Sequence, residues 1–280
     1  MSILTIVLLV GLVLIIGCVG YLLTKKPSLS RNWSPDQELM PSIDFLDNGA
    51  LYIKNIRNAH YRSVKDYDIQ HHDKALHLED VQTAWLAISP FAGMGAAHAF
   101  LSFGLKDGTY IAVSIEVRRK KGQRFTPVKA FTRQFEIMYV IATETDIIRL
   151  RTNHTKHTVR LFPLQAEKKV IRDVFIDVLK RADKLGKEPE FYNTVWNNCT
   201  TNIIRHARRF SQKPIPFWNL SYLFPESLDK IAYRLNIIDT HLPYEATRDH
   251  FDIKELAMSA NEGDDFSAVI RSEILLRPVD

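Results

Sequence analysis

The pattern of hydrophobic and polar positions divides the chain into an apolar N-terminal run, a strand-rich middle and a more helical second half. Positions 3–23 read ILTIVLLVGLVLIIGCVGYLL and contain no charged residue. A run of this length can cross a bilayer core of about 30 Å as one helix. We therefore predict a transmembrane anchor over residues 1–25 and a polar linker over residues 26–48, with Tyr21 and Trp33 at the membrane interface.

Two other interpretations of the apolar run compete with an uncleaved anchor. A cleaved signal peptide normally begins with a basic region, whereas only Met1 and Ser2 precede this run. The residues ending at Cys18 loosely resemble a lipoprotein cleavage box, but the apolar run continues beyond them. We favour the anchor. The positive-inside tendency would keep Lys25, Lys26 and Arg31 cytoplasmic. The rule is weak for so few charges, so local charge alone does not settle the orientation of the anchor.

Alternating apolar and polar residues predict a sheet in the middle of the chain. Leu51–Ile53 and Val81–Ile88 are short candidate strands, and positions 135–141 add a further strand. The stretch 61–77 is rich in histidine, but its spacing is not that of a compact metal site, so we predict a solvated loop. We assign the acidic residues of the Glu144–Asp146 segment to a turn in preference to a cation site.

The most informative pattern is a hairpin between residues 97–105 and 109–118. A two-residue turn would pair the apolar face of one strand with the polar face of the other. A three-residue loop over 106–108, with Gly108 in the left-handed conformation, keeps like faces together. The sequence therefore predicts the longer loop and the register that follows from it.

In that register an imidazole and a carboxylate lie side by side. His98 is placed opposite Glu116, about 5 Å away across the two strands, and Ser114 and Arg118 flank the pair. A carboxylate next to a histidine orients the ring and stabilises its protonated form. The alternative is an ordinary solvated polar face.

Two helices are predicted in the second half of the chain. Residues 166–185 carry an apolar stripe that is typical of a core helix. Cys199 begins the second helix, and Asn197 or Asn198 is a natural N-cap for it. A thiol in the first turn lies where the helix dipole favours the thiolate, which is the nucleophilic form. The alternative is a small buried cysteine that only packs.

Composition restricts the class of protein and its partners but does not identify a function. The chain has 46% hydrophobic and 25% charged residues and a formal net charge of +5, which is typical of a globular protein. Basic clusters occur at 118–124 and 205–209, but no nucleic-acid motif accompanies them. We therefore expect an anionic membrane surface as the partner. Because Cys18 lies in the anchor, Cys199 has no disulfide partner within the rest of the chain.

Several short motifs form one constellation. They are Ala97-His98 with Ser102-Phe103, Ser114-Ile115-Glu116 with Arg118, Glu136 with Tyr139, Glu144 with Asp146, and Tyr192-Asn193 with Asn197-Asn198-Cys199-Thr200-Thr201. Together, over roughly residues 51–239, they resemble the Lnb N-terminal periplasmic domain family. The Asn-Asn-Cys-Thr-Thr block is the specific part. The order of His before Cys is also similar to the permuted papain-like group, which includes lecithin:retinol acyltransferase and relatives of the NlpC-type peptidases.

The resemblance implies a periplasmic domain in which Cys199 is the nucleophile and His98 its general base. It also implies acyl transfer to or from lipidated proteins at the membrane surface. The acyltransferase that it resembles continues into a multi-span membrane region, which is not found here, so a hydrolase or a partner-dependent transferase stays open. We expect an α+β fold in which an antiparallel sheet packs on helices, with a permuted papain-like (NlpC-like) catalytic core over 49–240 and a C-terminal extension over 241–280.

The sequence thus predicts a thiol-dependent acyltransferase or acyl hydrolase, anchored in the inner membrane with its soluble domain in the periplasm and acting through a thioester. His98 would remove the thiol proton and Glu116 would hold the imidazole. The candidates for substrate binding or oxyanion stabilisation are Thr200, Asn198, Tyr139, Arg118 and Ser114. We expect a lipid or lipoprotein substrate and no cofactor, metal or nucleic acid, and a membrane-protein partner is left open. The alternatives are an NlpC-like cell-wall peptidase and a non-catalytic envelope scaffold.

Overall fold

The protein combines one apolar N-terminal helix with an α+β domain. The structure is a computed structural model that describes residues 2–92, 96–211, 214–215 and 224–276. Its strands are β1 (Ser42–Phe45), β2 (Ala50–Tyr61), β3 (Tyr67–His77), β4 (Val81–Ala92), β5 (Ala96–Leu105), β6 (Tyr110–Arg118), β7 (Glu136–Ala142) and β8 (Arg160–Pro163). Its α-helices are α1 (Ile3–Thr24), α2 (Pro127–Phe131), α3 (Glu144–Arg149), α4 (Lys168–Leu185), α5 (Cys199–Phe210), α6 (Leu228–Arg234), α7 (Tyr244–His250), α8 (Lys254–Ser259), α9 (Phe266–Val269) and α10 (Ser272–Leu276).

The described strands form one mixed sheet in the order β1-β2-β7-β6-β5-β4-β8, with β3 paired along β2. All pairs are antiparallel except β2 with β7, which run parallel where Arg57 lies opposite Ala142. The expected α+β class is confirmed, but a purely antiparallel sheet is wrong. Residue alternation shows which face a side chain occupies and says nothing about strand direction. The papain-like permutation stays a prediction.

Helix α1 fits the predicted anchor. It runs over Ile3–Thr24, and none of its residues is buried against the protein. At 1.5 Å per residue its 22 residues extend about 33 Å, enough to cross a bilayer core. By its length and its apolar, unburied residues, α1 is a candidate membrane span.

The segment after α1 packs on the domain. Trp33 is 7% exposed, donates its indole N–H to the Leu29 carbonyl at 2.7 Å and lies 4.2 Å from the Arg118 guanidinium. The expectation that Trp33 lies at the membrane interface is therefore wrong. Further along the predicted linker, strand β1 pairs with β2 and extends the sheet.

The histidine-rich stretch is a strand and not a loop. β3 pairs with β2 from Tyr67 opposite Tyr61 to His77 opposite Ala50, so the short strand predicted at 51–53 is also too short. Along β3 only Leu76 is buried, and polar residues occupy both faces. An edge strand needs few apolar residues because one side is open to water, so its sequence shows no clear alternation. This explains why the loop prediction was wrong.

The β5–β6 hairpin has the predicted register. Pairing runs from Gly104 opposite Tyr110 to Phe100 opposite Ser114. The Leu105 N–H donates to the Thr109 carbonyl at 2.8 Å across the loop, and Gly108 has φ +83°. A residue with a Cβ is strained at that φ, which explains the glycine. The three-residue loop is confirmed.

The two faces of the sheet differ in chemistry. On one face, odd-numbered β5 residues pack against α4 and α5, and the Phe103 ring lies 4.9 Å from that of Phe175 on α4. On the other face Ser102 donates to Glu144 on α3, and Glu144 forms a buried ion pair with Arg271 at 2.6 Å. We call these the α5 face and the α3 face.

The acidic residues after β7 stabilise the α3 face. Asp146 accepts two hydrogen bonds from the Arg57 guanidinium, each at 2.8 Å, and one from the Ala59 N–H at 2.8 Å. Both Glu144 and Asp146 lie in the first turn of α3 and are buried. The turn prediction for these residues is wrong, because their arginine partners come from distant segments that local sequence does not reveal.

We expect Arg57→Met to lower the free energy of unfolding by about 3 to 5 kcal/mol, because it leaves the Asp146 carboxylate buried without its partner. The measurement is chemical unfolding of the detergent-solubilised protein. Arg57→Met combined with Asp146→Leu should recover much of the loss, since both charges are then removed. The matched control is Arg62→Met, which breaks an exposed pair with Asp66 and should leave stability unchanged. Equal losses for the two arginine variants would contradict the prediction.

Candidate functional site

The start of α5 is fixed by a capping box. The Asn198 side-chain oxygen accepts from the Thr201 N–H at 2.8 Å, and the Thr201 hydroxyl accepts from the Asn198 N–H at 2.9 Å. The Asn198 amide also donates to the Thr194 carbonyl at 2.6 Å. These bonds confirm the predicted N-cap. They also occupy the Asn198 side chain in holding the loop, so it is not open to a substrate.

A second layer of amides fixes the loop before the cap. Asn197 donates to the Phe191 carbonyl at 2.8 Å and accepts from the Asn202 amide at 2.9 Å. The Asn193 side-chain oxygen accepts from the Val195 N–H at 2.8 Å. The first residue of α5 is therefore held from both sides.

Cys199 occupies that first position and is 4% exposed. Burial raises the pKa of its thiol, while the N–H of Ala99, the hydroxyl and N–H of Thr200 and its own N–H all act in the opposite direction. The sequence predicts that the helix start favours the thiolate, but here burial outweighs it. The Thr200 hydroxyl is buried with no partner of ordinary hydrogen-bond geometry among the described residues. It lies beside the sulfur.

His98 is held by a serine that links it to Glu116. The His98 Nε2 lies 2.7 Å from the Ser114 hydroxyl oxygen, and Ser114 donates to Glu116 at 2.8 Å. Because the Ser114 proton goes to the carboxylate, the Ser114 oxygen accepts from Nε2–H. The proton of the neutral ring is then on Nε2, and Nδ1 is the free basic nitrogen. Ser114 thus makes the contact with the ring that the sequence assigns to Glu116.

Two arginines set the charges in this chain of hydrogen bonds. Burial alone would raise the pKa of Glu116, but Arg57 and Arg151 outweigh it and lower that pKa to about 2. Arg151 approaches the Glu116 carboxylate at 3.5 Å. Burial and then Arg151 lower the pKa of His98 to about 3, against the opposite effect of Glu116. His98 is therefore neutral at pH 7, as a general base must be before it takes a proton.

The thiol and the imidazole approach β5 from different sides. His98 is on the α3 face, as its bond to Ser114 shows, whereas Cys199 begins a helix that packs on the α5 face. Among the described contacts, no hydrogen bond joins the two side chains. The sulfur instead lies beside the N–H of Ala99, the residue next to His98.

The sheet is open at this point. Pairing of β5 with β6 stops at Phe100 opposite Ser114, although β5 begins at Ala96 and β6 continues to Arg118. Beyond that pair no ladder hydrogen bonds connect the two strands. We call this opening the β5–β6 split. Cys199 lies on one side of it and His98 on the other, so backbone pairing does not close the path between them.

The structure assigns Arg118 to a structural contact. It is 3% exposed and donates to the carbonyls of Gln37 at 2.9 Å and Glu38 at 2.5 Å, while its guanidinium stacks on Trp33. Arg118 therefore ties the segment after the anchor to β6. It does not join the group formed by His98 and Ser114.

Tyr139 belongs to a hydrogen-bond chain that sequence reasoning missed. The Tyr139 hydroxyl lies 2.8 Å from His206 Nε2, and His206 Nδ1 lies 2.6 Å from Asp177 on α4. Tyr139 is fully buried, and burial raises its pKa. The available signal is the spacing of His206, which follows Cys199 by seven residues and so lies on the same face of α5.

Comparison with known proteins gives one match. Residues 67–232, more than half of the chain, match the family described as the Lnb N-terminal periplasmic domain. The chain belongs to this family. Among curated proteins and among solved structures nothing matches. The family and the apolar helix α1 together indicate a single-pass membrane protein with a periplasmic domain.

The family match contains every candidate residue of the site. It begins in β3 and ends in α6, and it therefore includes β5, β6, β7 and the start of α5. His98, Ser114, Glu116 and Cys199 all lie within it. The catalytic roles of these residues stay predictions.

We expect Cys199 of this Lnb-type domain to react slowly with iodoacetamide in the resting protein. A raised pKa keeps the thiol protonated at pH 7.5, and its reactivity should still be rising above pH 8.5, about the pKa of free cysteine. The measurement is the alkylation rate against pH by intact mass, in a Cys18→Ser background. A rate at pH 7.5 faster than that of free cysteine would contradict the prediction.

Proposed function

We propose that the protein is a membrane-anchored, extracytoplasmic thiol acyltransferase or acyl hydrolase. Its substrates are lipid or lipoprotein acyl groups, and it acts through a thioester on Cys199. The observation that carries this proposal is the position of a capped thiol beside the N–H of Ala99, the residue that follows a neutral His98 in β5. Membership of the Lnb N-terminal periplasmic domain family supports it. The proposal adopts the order of base before nucleophile that we expect from the resemblance to the permuted papain-like group.

The chemistry begins with proton transfer from the thiol. The free Nδ1 of His98 takes the Cys199 proton, and Nε2–H stays bonded to Ser114. Positive charge on the ring is stabilised through Ser114 by the Glu116 carboxylate, which is ionised at pH 7. This arrangement holds the ring and its tautomer as the acidic member of a catalytic triad does. The proton crosses the β5–β6 split, because the thiol and the imidazole lie on its two sides.

The thiolate then attacks the carbonyl carbon of an acyl ester. A carbon–sulfur bond forms, the carbon–oxygen bond to the alcohol breaks, and the imidazolium returns its proton to the leaving alcohol. Water attacks the thioester in hydrolysis, and an amine attacks it in transfer. In both cases His98 takes a proton from the attacking group, the carbon–sulfur bond breaks, and the imidazolium returns that proton to the Cys199 sulfur.

The first N–H groups of α5 suit the oxyanion of these steps. The N–H groups of Cys199 and Thr200 both lower the pKa of the Cys199 thiol and so favour negative charge at this place. The first N–H groups of a helix have no partner within the helix, and such donors stabilise the negative oxygen of a tetrahedral intermediate. The buried Thr200 hydroxyl adds a third donor at the same place.

An acyl-enzyme test decides the proposal. The purified full-length protein is mixed with vesicles that contain diacylated lipopeptide and phospholipid, and its intact mass is measured. We expect an added acyl group that hydroxylamine removes and that Cys199→Ala abolishes, since thioesters are cleaved by hydroxylamine. His98→Ala should lower the rate of adduct formation at least about 100-fold, the usual contribution of a general base.

Two control variants sharpen this test. Cys18→Ser removes the other thiol, and His60→Gln replaces a histidine that is exposed on β2. Both should retain the full rate. An adduct that persists in Cys199→Ala would overturn the proposal. Cleavage of peptidoglycan fragments without any adduct would favour the cell-wall peptidase, and the absence of both activities would favour the scaffold.

A further inference from the structure

An apolar patch lies on the surface next to the loop that precedes Cys199. It consists of Phe125, Val128, Phe131 and Trp196, whose exposed fractions are 41%, 71%, 51% and 59%. We call these four residues the apolar patch. Scattered apolar residues on a surface need no explanation, but adjacent large ones mark a site of interaction. The Phe131 and Trp196 rings contact edge to face with centroids 6.1 Å apart, so the patch is continuous between α2 and the loop.

The apolar patch is fixed to the end of the membrane helix. Lys25, which caps α1, donates to the Thr132 carbonyl at 3.3 Å, directly after α2. Arg133 donates to the Leu22 carbonyl at 3.3 Å, within the last turn of α1. The patch is therefore at the level where α1 leaves the hydrocarbon core.

Positive charge surrounds the apolar patch. Lys26 and Arg124 are exposed, and Lys129 is half-exposed within α2 itself. The Arg133 guanidinium lies 5.8 Å from the Phe191 ring. Aromatic and aliphatic side chains flanked by lysine and arginine are the composition of segments that insert into an anionic membrane interface.

We propose that the apolar patch inserts into the membrane interface and forms a second contact with the bilayer, in addition to α1. The occupant is the headgroup and upper acyl region of anionic phospholipid. Tryptophan and phenylalanine are suited to this depth because their rings are largely apolar. The contact holds the domain against the membrane in one orientation, which a single helix followed by a short segment would not do.

The orientation brings the Cys199 loop to the lipid. An open groove of about 460 Å³ lies between Lys25 and Pro27 at the end of α1 and the residues from Phe191 to Asn197. Trp196 belongs both to the patch and to the wall of this groove. Insertion therefore opens the groove onto the bilayer surface. The contact is a property of the surface and does not depend on the proposed reaction.

Spin labels measure directly how deeply the apolar patch lies in the membrane. The full-length chain carries Cys18→Ser and Cys199→Ser, with one label at Val128→Cys or at Phe131→Cys, in nanodiscs of phosphatidylglycerol and phosphatidylethanolamine that hold one molecule each. The matched control is Lys106→Cys, an exposed site in the β5–β6 loop at the other end of β6 from the Trp33 contact. Accessibility to oxygen and to a water-soluble nickel chelate is measured for each label.

We expect the oxygen-to-nickel accessibility ratio at positions 128 and 131 to be several-fold higher than at position 106. Equal ratios would show that the patch is in water and would overturn the proposal. Low accessibility to both reagents would show that protein covers the patch, which also overturns it. A second measurement uses the unlabelled chain: brominated phosphatidylglycerol should quench its tryptophan fluorescence, and Trp196→Phe should remove most of that quenching. Unchanged quenching in this variant contradicts insertion.

Discussion

The site depends on where β5 and β6 stop pairing. A ladder that continued beyond Phe100 and Ser114 would place a row of backbone hydrogen bonds between the α5 face and the α3 face. Instead the strands separate, and the first residue of α5 brings its sulfur to the Ala99 N–H. The candidate nucleophile, Cys199, can therefore come from a helix on one face, and its candidate base, His98, from a strand residue that is held on the other. The capping box of Asn198 fixes Cys199 as the first residue of α5 and so determines where the sulfur lies.

Burial, together with charges on the α3 face, determines the protonation of His98. Arg57 and Arg151 hold Glu116 ionised, and Arg151 also disfavours a second positive charge on the imidazole. Asp146 balances Arg57, and Arg271 balances Glu144. Each of these pairs joins distant parts of the chain, and Arg271 comes from the region between α9 and α10. The C-terminal segment thus stabilises the α3 face through Arg271 without containing any candidate residue of the site.

The sequence predicted correctly those features that depend on residues close together in the chain. The β5–β6 register followed from matched faces and from a glycine at positive φ, and the start of α5 followed from Asn198 at the N-cap. Strand direction did not follow, because β2 and β7 meet only after the chain has passed through four other strands. Edge strand β3 was missed because only Leu76 is buried along it, so its sequence lacks the alternation of apolar and polar residues by which a strand is recognised.

The candidate site shows the same division between local and distant information. Pairing His98 with Glu116 on one face needed only the register, and the structure places Ser114 between them. Which charges surround Glu116 depends on Arg57 and Arg151, which are far away in sequence. The ionisation of Cys199 was also misjudged, because the dipole of α5 is visible in the sequence whereas the depth of burial is not.

A neutral thiol and a neutral imidazole are a consistent resting state for the proposed reaction on lipid acyl groups. An ion pair of thiolate and imidazolium would be costly at a buried position, and an exposed thiolate in an extracytoplasmic domain would be open to oxidation. Burial of Cys199 avoids both. In the proposed reaction, negative charge on the sulfur and on the carbonyl oxygen develops only when an acyl carbonyl lies against the first turn of α5. There the N–H groups and the Thr200 hydroxyl can stabilise it. In the proposed reaction an acyl carbonyl at that position would therefore create the conditions for its own attack, and water reaching the same place without an acyl group would not.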